Sequence, residues 1–331
     1  MRVLVIGAAG MIGRKLTEKL AAGAIPVDHL TLVDVVQPTA SAGLAAETQI
    51  ADLSQPGTAE RLVASRPDLI FHFAAIVSGE AEANFEKGYA VNLDGTRNLF
   101  EAIRHQKDYK PRLVFTSSVA VFGAPFPPAT GGGPSETSIG DEFFTTPLTS
   151  YGTQKAIGEL LLADYSRRGF MDGVGIRLPT ICVRPGKPNA AASGFFSNII
   201  REPLIGQEAI LPVPETVRHW YASPRAAIGF LLHAATMDTA PLGGRRNLSM
   251  PGLSATVGDE IAALRRVAGD RAVALIRREP DPVITRIVGG WAQNFDASRA
   301  QSLGFKAETD FDQIIRAHVE DELGGNIPVA A

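Results

Sequence analysis

The chain begins "RVLVIGAAGMIGRKL": a short apolar run ends in Gly7, Gly10 and Gly13, and a helical pattern follows at once. A strand that ends in glycines at this spacing has to turn sharply, let another group approach its backbone and seat a helix close against a sheet. Each demand favours a residue without a Cβ. The first turn of the helix offers unpaired N–H groups and a partial positive charge, which suits a phosphate. The pattern predicts an α/β sheet whose first turn cradles the diphosphate of a dinucleotide, with Gly7, Gly10, Met11, Ile12 and Gly13 around it.

The chain beyond the turn supports this reading. Apolar runs at 30–36, 68–75, within 112–123 and within 173–181 read as buried strands, with another before "ADLS" at 51–54. Helical patterns at 56–65, 84–105 and 151–168 separate them. This alternation predicts a doubly wound parallel sheet covered on both faces. After about residue 180 the alternation fails and prolines gather at 185, 188, 203, 212 and 214. A helix at 224–237 and a strand near "RRNLSM" are expected to return to the sheet. A helix at 256–268, the segment 272–276 and a helix at 310–322 would build a smaller lobe. The expected division is a Rossmann-type domain over 1–178, completed by about 224–250, and a C-terminal substrate-binding lobe made of 179–223 and 251–331.

Composition narrows the function classes. With 45% hydrophobic and 20% charged residues, the 331-residue chain should bury an ordinary core. A formal net charge of −3 without basic blocks argues against a nucleic-acid partner. Cys182 is the single cysteine, so neither an internal disulfide nor a zinc cluster is available; a small buried hydrophobe in a reducing, cytoplasmic setting is expected. The N-terminus mimics a signal peptide, but polar "RKLTEK" follows it, and no segment is long and uncharged enough to cross a membrane.

Asp34 follows Gly13 by 21 residues at the end of the second strand, where a carboxylate can accept the ribose hydroxyls of adenosine. Val35 and Val36 come next, with no cation to hold a 2′-phosphate, so NAD is expected over NADP. Asp52 and Leu53 are candidates for adenine, and Ala74 and Ala75, ending "HFAA", for close passage of the cofactor along the backbone.

"SYGTQKAIGEL" places Tyr151 and Lys155 on one helix face, with Ile157, Leu160 and Leu161 on the opposite side. The spacing alone fits a solvated pair as well as a reacting one. Ser117 and Ser118, just beyond the strand in "FTSSVAVFG", favour chemistry, and a proline- and glycine-rich excursion at 123–138 separates them from the helix.

Taken together, "GAAGMIG", "HFAA", "NLDGTRNLFEA", "FTSSVAVFG", "YGTQK" and "FDASRAQSLGF" resemble the extended short-chain dehydrogenase/reductase superfamily, the branch with nucleotide-sugar epimerases and dehydratases. The resemblance covers most of the chain. It implies Ser118, Tyr151 and Lys155 as catalytic residues and Asn92 as a buried supporting asparagine, with Asn92, Tyr151, Lys155 and Pro179 joining the cofactor contacts. A free phenol, with a pKa of about 10, is a poor base. A nearby ammonium and a positive nicotinamide would lower that value, so Tyr151 could take a proton from a substrate hydroxyl while Ser118 fixes the same oxygen.

The second half separates dehydrogenase from epimerase. Nucleotide-sugar members of the superfamily often carry a GDG turn before an RDF-type stretch; here "QEAILPVPETVRHWYASPRAA" lacks the turn and keeps only Arg218. "RLPTICVRPGKPNAAASGFFSNIIREPLIGQ" and "VRHWYASPRAAIGFLLHAA" resemble a narrower group, the D-erythronate dehydrogenases. That resemblance implies NAD-dependent oxidation of the 2-hydroxyl of a small sugar acid. Arg184 or Arg218 would take the carboxylate. Asn198, His219 and Trp220 are expected nearby, and Ser78 is expected to face substrate or nicotinamide. Sugar epimerisation by the same three residues and an inactive cofactor-binding scaffold are the alternatives. By analogy with the superfamily, two copies would pair through the helices at 84–105 and 151–168.

Overall fold

The computed structural model describes residues 1–126, 138–186 and 192–330. Residues 127–137 of the proline- and glycine-rich excursion, and Pro188, lie outside them. The chain divides into two compact units: Met1–Val121 with Thr145–Leu178 and Ile228–Leu248, and Phe122–Phe144 with Pro179–Ala227 and Ser249–Ala331. The described residues 122–126 and 138–144 therefore group with the second unit, whereas the sequence predicts them in the first.

The first unit is built on strands β1 (Arg2–Ile6), β2 (His29–Asp34), β3 (Ala46–Ile50), β4 (Leu69–His72), β5 (Arg112–Ser118), β6 (Asp172–Leu178) and β10 (Asn247–Ser249). Their spatial order is β10-β6-β5-β4-β1-β2-β3. The pairs β1/β2, β1/β4, β2/β3, β4/β5 and β5/β6 are parallel. The order reverses between β1 and β4, so a crevice opens at the carboxyl ends of these two strands. Helices α1 (Met11–Ala21), α2 (Thr58–Val63), α3 (Ser78–Ala83), α4 (Phe85–Gly88), α5 (Gly95–Arg104), α6 (Ser150–Arg167) and α8 (Pro224–Thr236) complete the connections, with a π-helical turn at Tyr89–Asp94. Leu4, Ile6, Ile70, Leu99, Phe100, Leu113 and Phe115 form the core between sheet and helices. The doubly wound architecture expected from the sequence is present.

Helix α6 is oriented against expectation. Its N-terminus is capped by Thr149, whose side chain accepts the Gly152 amide at 3.0 Å. Its buried residues include Gln154, Lys155 and Glu159, while Leu160 is 70% exposed. Small residues let it approach the sheet: a Cβ at Gly158 would stand 2.8 Å from the Phe115 ring. Lys155 and Glu159 find partners in the sheet, and Gln154 accepts from Asn92 in the π-helical turn, so a polar face is packed inward.

The second unit holds β7 (Thr180–Ile181), β9 (Arg218–Ala222) and β11 (Leu253–Thr256) in one sheet, and β8 (Ala209–Leu211) with β12 (Ile276–Arg278) in another. Around them lie α7 (Gly194–Leu204), α9 (Val257–Val273), α10 (Pro282–Gly289), α11 (Ser298–Ser302) and α12 (Phe311–Leu323). Phe196, Ile200, Leu264, Ile314 and Ile315 centre its core. Helix α9 starts on a capping box, Thr256 with Asp259. The sequence reading missed α7, where Pro203 sits inside the helix. No helix among the described residues is long and apolar enough to cross a membrane.

Candidate active site

The glycine turn is held by backbone sterics. Gly7 has φ +91°, and a Cβ there would come within 2.7 Å of the Ala74 nitrogen. At Gly13 a Cβ would stand 2.3 Å from the Gly7 carbonyl oxygen, so only glycine lets α1 seat this closely. Gly10 is different: its nearest neighbour is the Gly7 oxygen at 3.4 Å, and it faces open space. That space is a cavity of about 610 Å³ at the sheet's switch point. Gly7, Gly10, Asp34, Asp52, Leu53, Ala74 and Ala75 all line it. Asp34 accepts the Ala9 amide at 2.9 Å and the Val35 amide at 2.7 Å, which ties the strand end to the glycine turn. Asp52 accepts the Ser54 amide at 2.8 Å.

Met11 and Ile12 begin α1 but do not line this cavity, and Gly13 packs beneath the turn. Pro179 lies in the second unit, at the start of its Pro179–Ala227 stretch. The sequence reading missed Val35, Val36, Ile76, Glu80 and Lys87 as lining residues. For the two valines, the signal was two apolar residues left exposed directly after Asp34.

Asn92 lies in the π-helical turn and is fully engaged. Its Oδ1 accepts the Ile76 amide at 2.8 Å, and its Nδ2 donates to the Ile76 carbonyl at 3.1 Å and to Gln154 Oε1 at 2.8 Å. It links a cavity residue to α6 without lining the cavity. Ser78 is half-buried at the start of α3, also off the cavity wall.

Ser118, Tyr151 and Lys155 come together at the carboxyl end of β5. Ser118 Oγ accepts the Ala120 amide at 3.1 Å, and its hydroxyl stands near enough to the Tyr151 phenol to favour the phenolate. Lys155 is 2% exposed, donates from Nζ to the Thr116 carbonyl at 2.8 Å, and lies 5.8 Å from the Tyr151 ring centroid. Burial pulls its amine down to about 8, and Glu159 opposes that shift. Burial pushes the half-buried Tyr151 phenol up to about 12, and the neighbouring Ser118 hydroxyl only partly opposes it. The expected lowering of the phenol is therefore not a property of the ligand-free chain. His72, buried beneath, is held down at about 3 by burial and the Lys155 charge, and stays neutral.

In the second unit most of the expected substrate residues are already engaged. Arg184 donates from Nη2 to Ser193 O at 3.0 Å and Ser193 Oγ at 2.9 Å. Arg218 donates to Ser254 O at 3.0 Å. Asn198 Oδ1 accepts from Arg201 at 2.8 Å. Trp220 is buried, with its indole N–H on Met250 O at 3.2 Å and its ring against Phe295. His219, expected as a polar or shape-setting neighbour of substrate, is buried among aromatic rings. It stacks on Phe196 with centroids 5.3 Å apart and pairs with Thr180 Oγ1 at 2.6 Å. Burial lowers its pKa to about 4, so it is neutral.

A sequence profile of the NAD dependent epimerase/dehydratase family matches residues 3–234. The chain belongs to that family. It is 44% identical to the D-erythronate dehydrogenase of Cupriavidus necator over 97% of this chain and 98% of the relative. It is 39% identical to that of Haemophilus influenzae over 98% of this chain and the whole of the relative. Two dehydrogenases matched over nearly their full length make the chain an enzyme of dehydrogenase type. A solved structure described as the nucleoside-diphosphate-sugar epimerase from Agrobacterium tumefaciens superposes with a TM-score of 0.94 at 64% identity, covering 99% of this chain and 96% of the other.

Proposed function

We propose that the chain oxidises the 2-hydroxyl of a small sugar acid with NAD, converting D-erythronate to 2-dehydro-D-erythronate, with Tyr151 as general base. The observation that carries this is the Ser118–Tyr151–Lys155 constellation at the end of β5, in the unit that also holds the glycine-lined cavity. The relatives' shared name supports the substrate.

The cavity's chemistry fits the cofactor: open space at Gly10, helix N–H groups behind it, and the Asp34 carboxylate at the far strand end. Gly7, Gly10, Met11, Ile12 and Gly13 would hold the diphosphate. Asp34 would hold the ribose, Asp52 and Leu53 the adenine, and Ala74, Ala75, Asn92, Tyr151, Lys155 and Pro179 the remainder. Bound NAD supplies the hydride acceptor and, on its oxidised ring, the positive charge that the phenol lacks. Lys155 holds its ammonium beside the phenol and favours the anion. Tyr151 then takes the hydroxyl proton as the C–H bond breaks, and Ser118 holds that oxygen in line. Arg184 or Arg218 would take the carboxylate through paired hydrogen bonds. Ser78, Asn198 and Trp220 are the remaining candidates for substrate contact.

A second reading, nucleotide-sugar epimerisation by the same residues, is favoured by the description of the Agrobacterium structure. One assay separates the two. Purified chain is incubated with D-erythronate and NAD, or with UDP-sugars, and free NADH is followed by absorbance. The first reading predicts NADH in step with acid oxidation. Sugar isomerisation without net NADH would replace it. We also infer a homodimer through the helices at 84–105 and 151–168, on which Phe85 and Leu160 are exposed; light scattering at the monomer mass would remove that inference.

A further inference from the structure

Helix α6 meets strand β5 through three residues spaced one turn apart, and each takes a different one of three consecutive strand residues. Tyr151 stands beside the Ser118 hydroxyl, Lys155 donates to the Thr116 carbonyl and Glu159 accepts from the Ser117 hydroxyl. The first two contacts belong to the reacting pair. The third lies deeper and is unused by the chemistry. Ser117 Oγ donates to Glu159 Oε1 at 2.6 Å. Arg177 grips the same carboxylate with both ends of its guanidinium, Nε to Oε1 at 2.9 Å and Nη2 to Oε2 at 2.7 Å. Ser117 and Arg177 are register partners on β5 and β6. Glu159 is 3% exposed, so one buried carboxylate spans two adjacent strands.

A buried ion pair is a weak source of net stability, because both charges lose water. What it supplies here is register. A carboxylate caught by a fork and a hydroxyl has one geometry, and a slip or roll of α6 would break three hydrogen bonds at once.

We propose that Glu159 is a positioning residue of the reaction: through Ser117 and Arg177 it fixes where Tyr151 and Lys155 stand against β5, and it supplies the counter-charge that keeps Lys155 an ammonium. The proposal deepens the reading of Tyr151 and Lys155 as the reacting pair and rests on it. The charged and titratable groups facing Lys155 are Tyr151 and Glu159 on α6, His72 on β4 and Arg177 on β6 behind Glu159; β5 offers only the Thr116 carbonyl and the Phe115 ring. His72 remains neutral above about 3, which leaves Glu159 as the anion that acts on Lys155.

The test compares wild type with Glu159→Gln, Glu159→Asp, Ser117→Ala, the double variant Glu159→Gln/Arg177→Met and the control Tyr151→Phe. Each is measured for the pH profile of kcat, for the NAD Kd by calorimetry and for the thermal midpoint. Glu159→Gln is expected to lower kcat by about tenfold or more, as misplaced reacting groups do. Its alkaline fall in kcat should also move by about one pH unit to lower pH, because the ammonium has lost its anion. Glu159→Asp should return that limb toward wild type, and the double variant should lie between. Ser117→Ala should lower kcat without moving the limb. NAD affinity should change by less than about tenfold throughout, since the glycine turn, Asp34 and the other cavity residues keep their contacts and only those of Tyr151 and Lys155 are disturbed. A folded Glu159→Gln with wild-type kcat and an unmoved limb overturns the proposal. So does a variant whose thermal midpoint falls while kcat per folded molecule and pH profile stay put, which is the mark of a purely structural pair. If Glu159→Gln does not fold, Ser117→Ala with wild-type kcat overturns it alone. Turnover that survives Tyr151→Phe removes the underlying reading instead; its loss beside an unmoved Glu159→Gln limb removes only the role of Glu159.

Discussion

The Lys155 ammonium is buried 2.8 Å from the Thr116 carbonyl and 5.8 Å from the centre of the Tyr151 ring. A cation placed there is set for chemistry at a cost in stability. Burial brings its pKa from 10.5 to about 8, so below pH 8 the folded chain carries an ammonium that water would hold better, worth on the order of 3 kcal/mol. Between about 8 and 10.5 the unfolded chain binds the extra proton, so this cost fades as pH rises. Urea unfolding of wild type and Lys155→Met at pH 7 and pH 10 should show wild type gaining about 3 kcal/mol relative to the variant over that interval. An equal response of both chains would show that the amine is not desolvated.

Asp34 gives a separate prediction. Its carboxylate accepts the Ala9 and Val35 amides and lines the cavity. Asp34→Ala should weaken NAD binding about 10- to 100-fold, the size expected for lost hydrogen bonds to a charged acceptor, and should narrow the preference over NADP. Calorimetry with both cofactors checks it.

The residues behind these two predictions differ in how well the sequence shows them. Gly7 and Gly13 are legible because a positive φ and a backbone contact exclude every other side chain. Asp34 is legible because the end of β2 fixes its distance from the turn. Tyr151, Lys155 and Ser118 stand out as residue types with few other reasons to occur together. The inward face of α6 was not legible. Hydrophobic periodicity assumes that apolar residues turn inward, and here Lys155 and Glu159 are buried while Leu160 faces out. That assignment depends on Thr116, Ser117 and Arg177, which are distant in sequence. The burial of His219 was hidden for a related reason: Thr180 and the Phe196 ring, both distant in sequence, take it up.

Glu260 in α9 is a second buried group under strain, this time without a role in the reaction. It is fully buried, and neither carboxylate oxygen makes a hydrogen bond among the described residues. Burial raises its pKa well above the ordinary carboxylate value, and the nearby Tyr221 hydroxyl opposes this only in part. The unfolded chain ionises at the ordinary value and the folded chain does not, so stability falls as pH rises above about 4.5, by about 1.4 kcal/mol per pH unit until the folded pKa is reached. Glu260→Gln removes that slope. Its thermal midpoint should match wild type near pH 4.5 and exceed it by several degrees at pH 7.

The central claim is that the Tyr151 phenol handles the proton. Wild type and Tyr151→Phe are compared at saturating D-erythronate and NAD, reading NADH formation, with NAD affinity measured alongside. The account predicts a fall in kcat of about 10²- to 10⁴-fold or more, with NAD affinity changed by less than about tenfold. Turnover of D-erythronate by the phenylalanine variant at the wild-type rate would contradict it.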